Sequence, residues 1–511
     1  MPRFSRPSPC HDSVFAVTTQ LLLPSAALRA IESVHAKDHP PMMERAGAAA
    51  ATLALELQAG LCAPPLILVG PGNNGGDALV VARILRERGL LPVVVFYGNV
   101  GKMPADARTA WNNWIGIARG RCHTDIPKQD FGLVIDGLFG IGLTRPLQEP
   151  YLSLIERINQ YRGPVLALDC PSGLNADTGT LHPYSVRATH TITFIADKPG
   201  LHTLDGPDHC GEITIADIGL GADAHKSSAA GHINDPSLFA ASLKPRQRNT
   251  HKGSYGSAAI IGGAPTMAGA ALLAGRAALK LGAGRVFVGM LERVAVDHRQ
   301  PELMIREADK VFDVATALAI GPGLAQSDEA AKFLRRSIEA PVPLVVDADA
   351  LNLLAAHPAL ARQFARRELS TLITPHPAEA ARLLGISTAD IQADRIKSAQ
   401  ELARRFNAVV VLKGCGSIIA TPDGRWFVNT TGNAGLASGG TGDVLSGFCV
   451  ALLAQGWSAE STALCATWMH GKAAEQLTTS GDGPIGIAAG ELITPVRRIF
   501  NRLIADNAQS M

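Results

Sequence analysis

Short apolar runs recur along the chain, each closed by glycine or proline and followed by apolar residues at helical spacing. In the first half they are "PPLILVG" (64–70), "PVVVFYG" (92–98), "FGLVIDG" (131–137) and "GPVLALD" (163–169). Runs this short and this continuous predict buried strands. Between them, "DALVVARILRERG" (77–89) predicts a helix ending at Gly89. Strands alternating with helices imply a parallel sheet covered on both faces. The rhythm then loosens in the small, polar and basic stretch 219–253. It resumes with "SAAIIGG" (257–263), "RVFVGM" (285–290), "TALAIGPG" (316–323), "PLVVDAD" (343–349), "TLITPHP" (371–377) and "AVVVLKG" (408–414). "SIIATPDGRWFVN" (417–429) predicts a hairpin turning at Asp423-Gly424. The expected fold is α/β in two domains with shared architecture and no sequence repeat.

Composition narrows the class. The chain has 511 residues, 47% of them hydrophobic and 18% charged, with 51 glycines and a net charge of +2. That suits a compact enzyme rich in tight turns, and leaves no strong field to recruit nucleic acid or membrane. No apolar run reaches the roughly 18 residues of a membrane span. The cysteines at 10, 62, 122, 170, 210, 415, 449 and 465 form no C-x-x-C pair. They read as reduced, mostly buried thiols of a cytoplasmic protein. "RCH" (121–123) reads as surface loop. The N-terminus has two arginines and only a short apolar segment, so an extension over 1–24 is expected in place of a secretory signal.

In open parallel sheets ligands bind beyond the carboxyl ends of the strands. Polar residues stand at those ends here: Asn73, Asn74 and Asp77, then Asp136, Asp169, Asp347, His376, Lys413 and Asp443. Each alone reads as a cap or turn as readily as a site. "GPGNNGG" (70–76) has the spacing of a dinucleotide fingerprint, but its second strand ends without the required acid. What remains is a loop able to meet phosphate at a helix N-terminus, with two amides and Asp77. "DGLFGIGLTRP" (136–146) and "LDCPSGLNADTG" (168–179) add Asp136, Asp169 and Ser172.

These three motifs, in this order, resemble the NAD(P)H-hydrate epimerase family over about residues 25–225. The resemblance implies a Rossmann-like parallel sheet binding a hydrated nicotinamide cofactor. It assigns substrate contacts to Asn73, Asn74, Gly75, Gly76 and Asp77, to the loop Gly140, Ile141, Gly142, Leu143, Thr144, Arg145 and Pro146, and to Asp169, also the expected catalytic residue. It assigns a potassium ion (K+) to Asn74, Asp136 and Ser172, oxygen ligands that suit a hard cation. Ala78 stands where the family commonly has glycine.

"SGGTGDVLSG" (438–447) places glycines ahead of an apolar helix and Asp443 at its first turn. Freed amides and the helix dipole build a hole for anionic oxygen, and Asp443 is placed to take a proton from a substrate hydroxyl. The alternative is an aspartate placed by the dipole alone. No G-x-x-x-x-G-K-[ST] is present, which excludes a P-loop. The segment resembles the ribokinase-like superfamily, and "TPHPAEAARLLG", "VLKGCGS" and "NAGLASGGTGD" resemble its ADP- or ATP-dependent NAD(P)H-hydrate dehydratases. That resemblance implies a ribokinase-like α/β sandwich over 246–505 after a linker at 226–245. It assigns the nucleotide to Lys413, Gly414, Cys415, Gly416, Ser417 and Gly442, and the hydrated cofactor to Ala270, Gly323, His376 and the catalytic Asp443. Cys415 and Ser417 replace an expected alanine and threonine. His376 and Lys413 read equally as a satisfied histidine and a solvated strand-end lysine. Asp347 reads as a helix cap or as an aid to magnesium and phosphate.

Together the resemblances imply a cytoplasmic, homo-oligomeric repair enzyme that interconverts R and S hydrates of NAD(P)H and dehydrates the S form with ADP or ATP and Mg2+. The rival expectation is a ribokinase-like small-molecule kinase whose N-terminal domain binds nucleotide without turnover.

Overall fold

The computed structural model describes residues 20–117, 121–143, 145–224, 226–227 and 229–510. Thr144, Cys10 and most of the expected N-terminal extension lie outside the described residues. The chain forms two compact units, one covering Leu21–His232 and the other running from Ile233 to the C-terminus.

A short antiparallel pair, β1 (Leu21–Leu22) with β9 (Gly231–Ile233), forms through Leu21↔His232 and Leu22↔Gly231, and β9 ends on the first residue of the second unit. The main sheet of the first unit is built from β2 (Leu66–Val69), β3 (Val93–Phe96), β4 (Cys122–His123), β5 (Val134–Gly137), β6 (Val165–Leu168), β7 (His190–Phe194) and β8 (Glu212–Ala216). These are parallel in the order β4-β3-β2-β5-β6-β7-β8. Leu66, Ile67, Leu68 and Val69 are all buried, as a strand covered on both faces requires. Cys122 and His123, expected in a loop, form the edge strand β4. The helix expected from residue 77 begins at Asn73 and runs to Glu87. Its glycines are set by packing. A Cβ on Gly75 would lie 2.0 Å from the Gly70 carbonyl oxygen, and one on Gly70 1.8 Å from that of Leu138. Ala78 fits because Gly137 faces it without a side chain; a Cβ there would lie 2.4 Å from the Ala78 methyl.

The second unit carries β10 (Ser257–Gly262), β11 (Arg285–Met290), β12 (Met304–Glu307), β13 (Ala317–Ile320), β14 (Leu344–Val346), β15 (Thr371–Ile373), β16 (Val409–Leu412), β17 (Ser417–Ala420) and β18 (Trp426–Asn429). Their order is β18-β17-β16-β15-β14-β13-β10-β11-β12. β10 to β16 pair in parallel, and β16-β17-β18 are antiparallel, with Asp423-Gly424 at the expected hairpin turn. One face shares a core with the helices Ala268–Lys280, Thr441–Ala454 and Ala459–Thr479. The helix Arg395–Phe406 packs on β16 and β17. The stretch expected as a linker, 226–245, includes β9 and a 3-10 turn at Pro236–Ser242, and its Phe239 and Leu243 are buried in this core. The last helix, Ile493–Ser510, continues beyond residue 505. No described helix is long and apolar enough to cross a membrane.

Candidate active sites

In the first unit the turns after β2, β5, β6 and β7 converge. Asp169 ends β6 with φ 65°, a left-handed backbone uncommon outside glycine. The conformation is held because the Asp169 N–H donates to the Ile192 carbonyl at 2.7 Å. The side chain is thereby aimed at Lys198, whose Nζ lies 2.8 Å from Asp169 Oδ1. Lys198 is fully buried, and its ammonium also donates to Thr193 Oγ1 and to the Phe194 and Ala196 carbonyls. The other Asp169 oxygen accepts the Ile141 N–H at 3.3 Å, while Arg29 donates to the Ile141 carbonyl at 2.9 Å. Ile141 belongs to the expected substrate loop, so the peptides on both sides of it are fixed. Burial, then the Asp169 and Glu32 carboxylates, push the Asp77 carboxyl well above its ordinary range. Burial and Asp169 also raise Glu32. Lys198, Arg29 and Glu32 escaped the sequence reading. Asn73 is exposed, whereas Asn74, Gly75 and Gly76 are buried in the first helical turn.

Asp136 is completely buried. Ser172 donates to it twice, from its N–H at 2.8 Å and its hydroxyl at 2.6 Å, and the Leu138 N–H donates at 3.2 Å. These bonds only partly offset burial, which pushes the carboxyl up to about 6. The Ser172 hydroxyl also meets Phe139, accepting its N–H at 2.9 Å. The Asn74 side chain is buried with neither its amide oxygen nor its nitrogen hydrogen-bonded. Such a group is costly unless something else coordinates it. Its amide carbon lies 3.4 Å from where a Cβ on Gly140 would stand. An orphaned amide oxygen, a carboxylate and a hydroxyl fit a hard monovalent cation.

In the second unit, the helix Thr441–Ala454 is buried along its whole length except at Gly442 and Asp443. Gly440, with φ 89°, turns the chain into that helix. A cleft of about 350 Å³ is lined by Met267, Ala270, Gly323, Asp349, Glu379 and Asp443 among others, which brings together three of the expected cofactor contacts. Lys413 Nζ donates to Asp347 Oδ1 at 2.9 Å and lies 3.9 Å from Glu379 Oε2. Asp347 Oδ2 accepts the Ser446 hydroxyl at 2.6 Å. Asp347 therefore makes no capping bond, although it stands at the cap position of the next helix. A Cβ on Gly442 would lie 3.3 Å from Lys413 Nζ. Asp349 accepts the Ala325 N–H at 2.9 Å, and Glu379 accepts the His376 N–H at 2.7 Å. Asp443 is the carboxylate of this group that accepts no hydrogen bond among the described residues. Burial, then the Asp347 charge, raise it to about 7, with Lys413 opposing.

His376 serves the fold visibly. Its Nδ1 accepts the Ala378 and Glu379 N–H groups, capping the helix Pro377–Leu384, and its Nε2 lies 3.1 Å from Glu379 Oε1. The loop Lys413–Ser417 is closed by the Ser417 hydroxyl, which donates to the Gly414 carbonyl at 3.0 Å. Among the described residues, no three His, Cys, Asp or Glu side chains form a ready-made metal cage. The carboxylates around Lys413 fit a magnesium ion that arrives with a nucleotide, since that ion is held by one or two carboxylates plus substrate phosphates.

The α/β fold thus carries two candidate sites, one around a buried lysine–aspartate pair and the other around a glycine-built helix N-terminus whose aspartate accepts no hydrogen bond among the described residues. The model of the NAD(P)H-hydrate dehydratase family matches residues 258–494, and that described as YjeF-related protein N-terminus matches 40–200. The chain is 39% identical to the bifunctional NAD(P)H-hydrate repair enzyme Nnr of Escherichia coli, over 86% of each chain. It is 37% identical to the Vibrio cholerae protein of the same name, over 97% of this chain and 99% of that one. Among solved structures it is similar to the ADP/ATP-dependent NAD(P)H-hydrate dehydratase from Bacillus subtilis co-crystallized with ATP/Mg2+. There the identity is 32% and the TM-score 0.47, over 53% of this chain and 98% of that one. The chain belongs to the family of bifunctional NAD(P)H-hydrate repair enzymes. Its two activities are those of an NAD(P)H-hydrate epimerase and an NAD(P)H-hydrate dehydratase.

Proposed function

We propose that Asp169 with Lys198 carries epimerisation in the unit Leu21–His232, and that Asp443 carries nucleotide-driven dehydration in the unit beyond it. The observation that carries the second role is the Asp443 carboxylate, poised near neutrality and without a hydrogen bond, at the glycine-built N-terminus of its helix. It takes the proton of the C6 hydroxyl as that oxygen attacks the terminal phosphorus of ADP or ATP. The shorter nucleotide leaves. Loss of the phosphate from C6 with a neighbouring proton then restores the nicotinamide ring, phosphate being a far better leaving group than hydroxide. Gly442 and its neighbours present amides to the transferring oxygens. Lys413 to Ser417 contact the nucleotide, and Ala270, Gly323 and His376 the hydrated cofactor. Asp347 and Glu379 are the groups that would hold Mg2+, which would supply charge neutralisation on the phosphates.

In the first unit, inverting C6 requires a bond at that carbon to break and re-form, with proton traffic at the hydroxyl or the adjacent nitrogen. Asp169 takes the hydroxyl proton as the C6–N1 bond breaks to leave an aldehyde, and passes it to the freed nitrogen. Closure on the other face of the carbonyl reverses these steps and gives the other epimer, while Lys198, 2.8 Å away, holds the Asp169 carboxylate in place. Asn73 to Asp77 and the loop Gly140–Pro146 hold the substrate. Asn74, Asp136 and Ser172 hold potassium, which ties the glycine turns together. The seven cysteines among the described residues form no disulfide, which suits a cytoplasmic location. A homo-oligomer is the expected state, to be read by light scattering.

The test uses mixed R and S hydrates of NADH with ADP or ATP. Asp443→Asn is expected to slow dehydration by roughly 10²–10⁴ while leaving epimerisation unchanged. Asp169→Ala is expected to dehydrate the S form normally and to leave the R form to spontaneous epimerisation. A near-normal rate in the activity that each substitution targets removes that residue from its role. Phosphate appearing free in solution, and not on the product, separates the repair reaction from a kinase.

A further inference from the structure

Arg395 opens the helix Arg395–Phe406 and is 2% exposed. A cation there is doubly unfavourable. It sits at the positive end of a helix dipole, and it is taken out of water. Buried cations are ordinarily balanced by a carboxylate, yet Arg395 forms no ion pair among the described residues. Its hydrogen bonds go instead to one loop: Nη1 donates to the Cys415 carbonyl at 2.6 Å and Nη2 to that of Leu412 at 3.3 Å. Leu412 ends β16, and Cys415 lies in the middle of Lys413–Ser417.

The loop is shaped around this guanidinium. Gly414 has φ 147°, and a Cβ there would lie 2.6 Å from Nη2 and 2.9 Å from both the central carbon and Nη1. Glycine at 414 is thus what allows the backbone to lie against Arg395. Gly416, with φ 60°, completes the turn. In a trans peptide the carbonyl and the following N–H point opposite ways. Holding the Cys415 carbonyl on Arg395 therefore directs the Gly416 N–H away from it. Burial lowers the guanidinium to about 10, which leaves it charged at neutral pH.

We propose that Arg395 is the positioning residue of the nucleotide loop: it fixes the Leu412 and Cys415 carbonyls and sets an uncompensated buried positive charge behind a loop that receives an adenine nucleoside di- or triphosphate. The proposal rests on the reading that Lys413–Ser417 contacts the nucleotide. A fork donating in two directions preforms the loop, and the charge without a carboxylate partner favours the anionic ligand.

The test is steady-state kinetics on the intact chain with Arg395→Met and Arg395→Lys. Arg395→Met is expected to raise the KM for ADP or ATP at least tenfold, with the KM for the hydrated cofactor and the epimerisation rate within twofold of the parent. Arg395→Lys, which keeps the charge but loses the fork, is expected to fall between the two. An unchanged nucleotide KM in both variants overturns the proposal. So does an equal rise in both KM values with a lowered Tm and no recovery in Arg395→Lys, the signature of a merely structural arginine. Should Arg395→Met not fold, Arg395→Lys decides, and a parental nucleotide KM there overturns the role. Lys413→Met separates the two layers. If it leaves the nucleotide KM unchanged, the loop reading falls and the proposal with it. If it raises that KM while the Arg395 variants do not, only the role of Arg395 falls.

Discussion

Asp443 shows how burial tunes one side chain for two opposed demands. Its carboxyl is raised from an ordinary 3.8 to about 7 by burial and the Asp347 charge. As the proposed base it must be ionised, so dehydration is expected to need pH above that value. The kcat/KM for dehydration is expected to fall tenfold per pH unit below about 7, a limb that reports the free enzyme. A pH series scored separately for the two activities checks this, since epimerisation does not involve Asp443. Stability runs the other way. A carboxyl raised in the folded state stabilises the fold while protonated, and the contribution is lost as pH rises from about 4 through about 7. The residue is therefore most useful where it stabilises least, as active-site groups commonly are.

Among the elements, the central helix Thr441–Ala454 depends on a close approach. A Cβ on Gly447 would lie 2.2 Å from the Ala274 carbonyl oxygen and 2.8 Å from the Ala277 methyl. Gly447→Ala is expected to force that helix from Ala268–Lys280 and cost about 1–3 kcal/mol. Calorimetry should show a lowered transition for the dehydratase unit, at about 2–4 °C per kcal/mol, with epimerase activity intact. Element by element, continuous apolar runs such as "PPLILVG" were legible as strands because both faces of the sheet are covered. "HTITF" and "EITIA" were not. In β7 the buried positions include Thr191 and Thr193, whose hydroxyls find partners inside, and β8 is a half-exposed edge. Missing β7 also hid Lys198 at its end. Arg395 was hidden differently: "DRIKSAQ" reads as a solvated helix start, and only the fold buries its arginine. The pair Gly75-Gly76 reads as loop by propensity, but packing under the Gly70 turn makes it helix. The candidate site residues legible in sequence were those whose type carries the chemistry, such as Asp169 and Asp443. Those that position others have no such signature.

For the whole molecule, the division between the units falls between His232 and Ile233, and each unit has a core of its own. Fragments ending at His232 and beginning at Ile233 are expected to fold separately, the first epimerising and the second dehydrating. Expressing each alone and assaying both activities checks this. A C-terminal fragment that is insoluble while the intact chain works would show that the cores are not independent. Fusion in one chain fixes the number of the two sites at one to one. Each site that consumes one epimer is then always made together with a site that can replace it.

The dehydratase cleft sets Asp347, Asp349, Glu379 and Asp443 against the single charge of Lys413. Such a cleft repels a bare polyphosphate and admits one escorted by a divalent ion. Asn74, Asp136 and Ser172 are the proposed ligands of an alkali ion, which chelators ignore. The two halves are thus orthogonally addressable by solution chemistry. EDTA is expected to silence dehydration and spare epimerisation, while exchanging potassium for lithium, too small to span those ligands, weakens epimerisation and spares dehydration. Progress curves on mixed hydrates under each condition would read out both responses from a single unmutated protein.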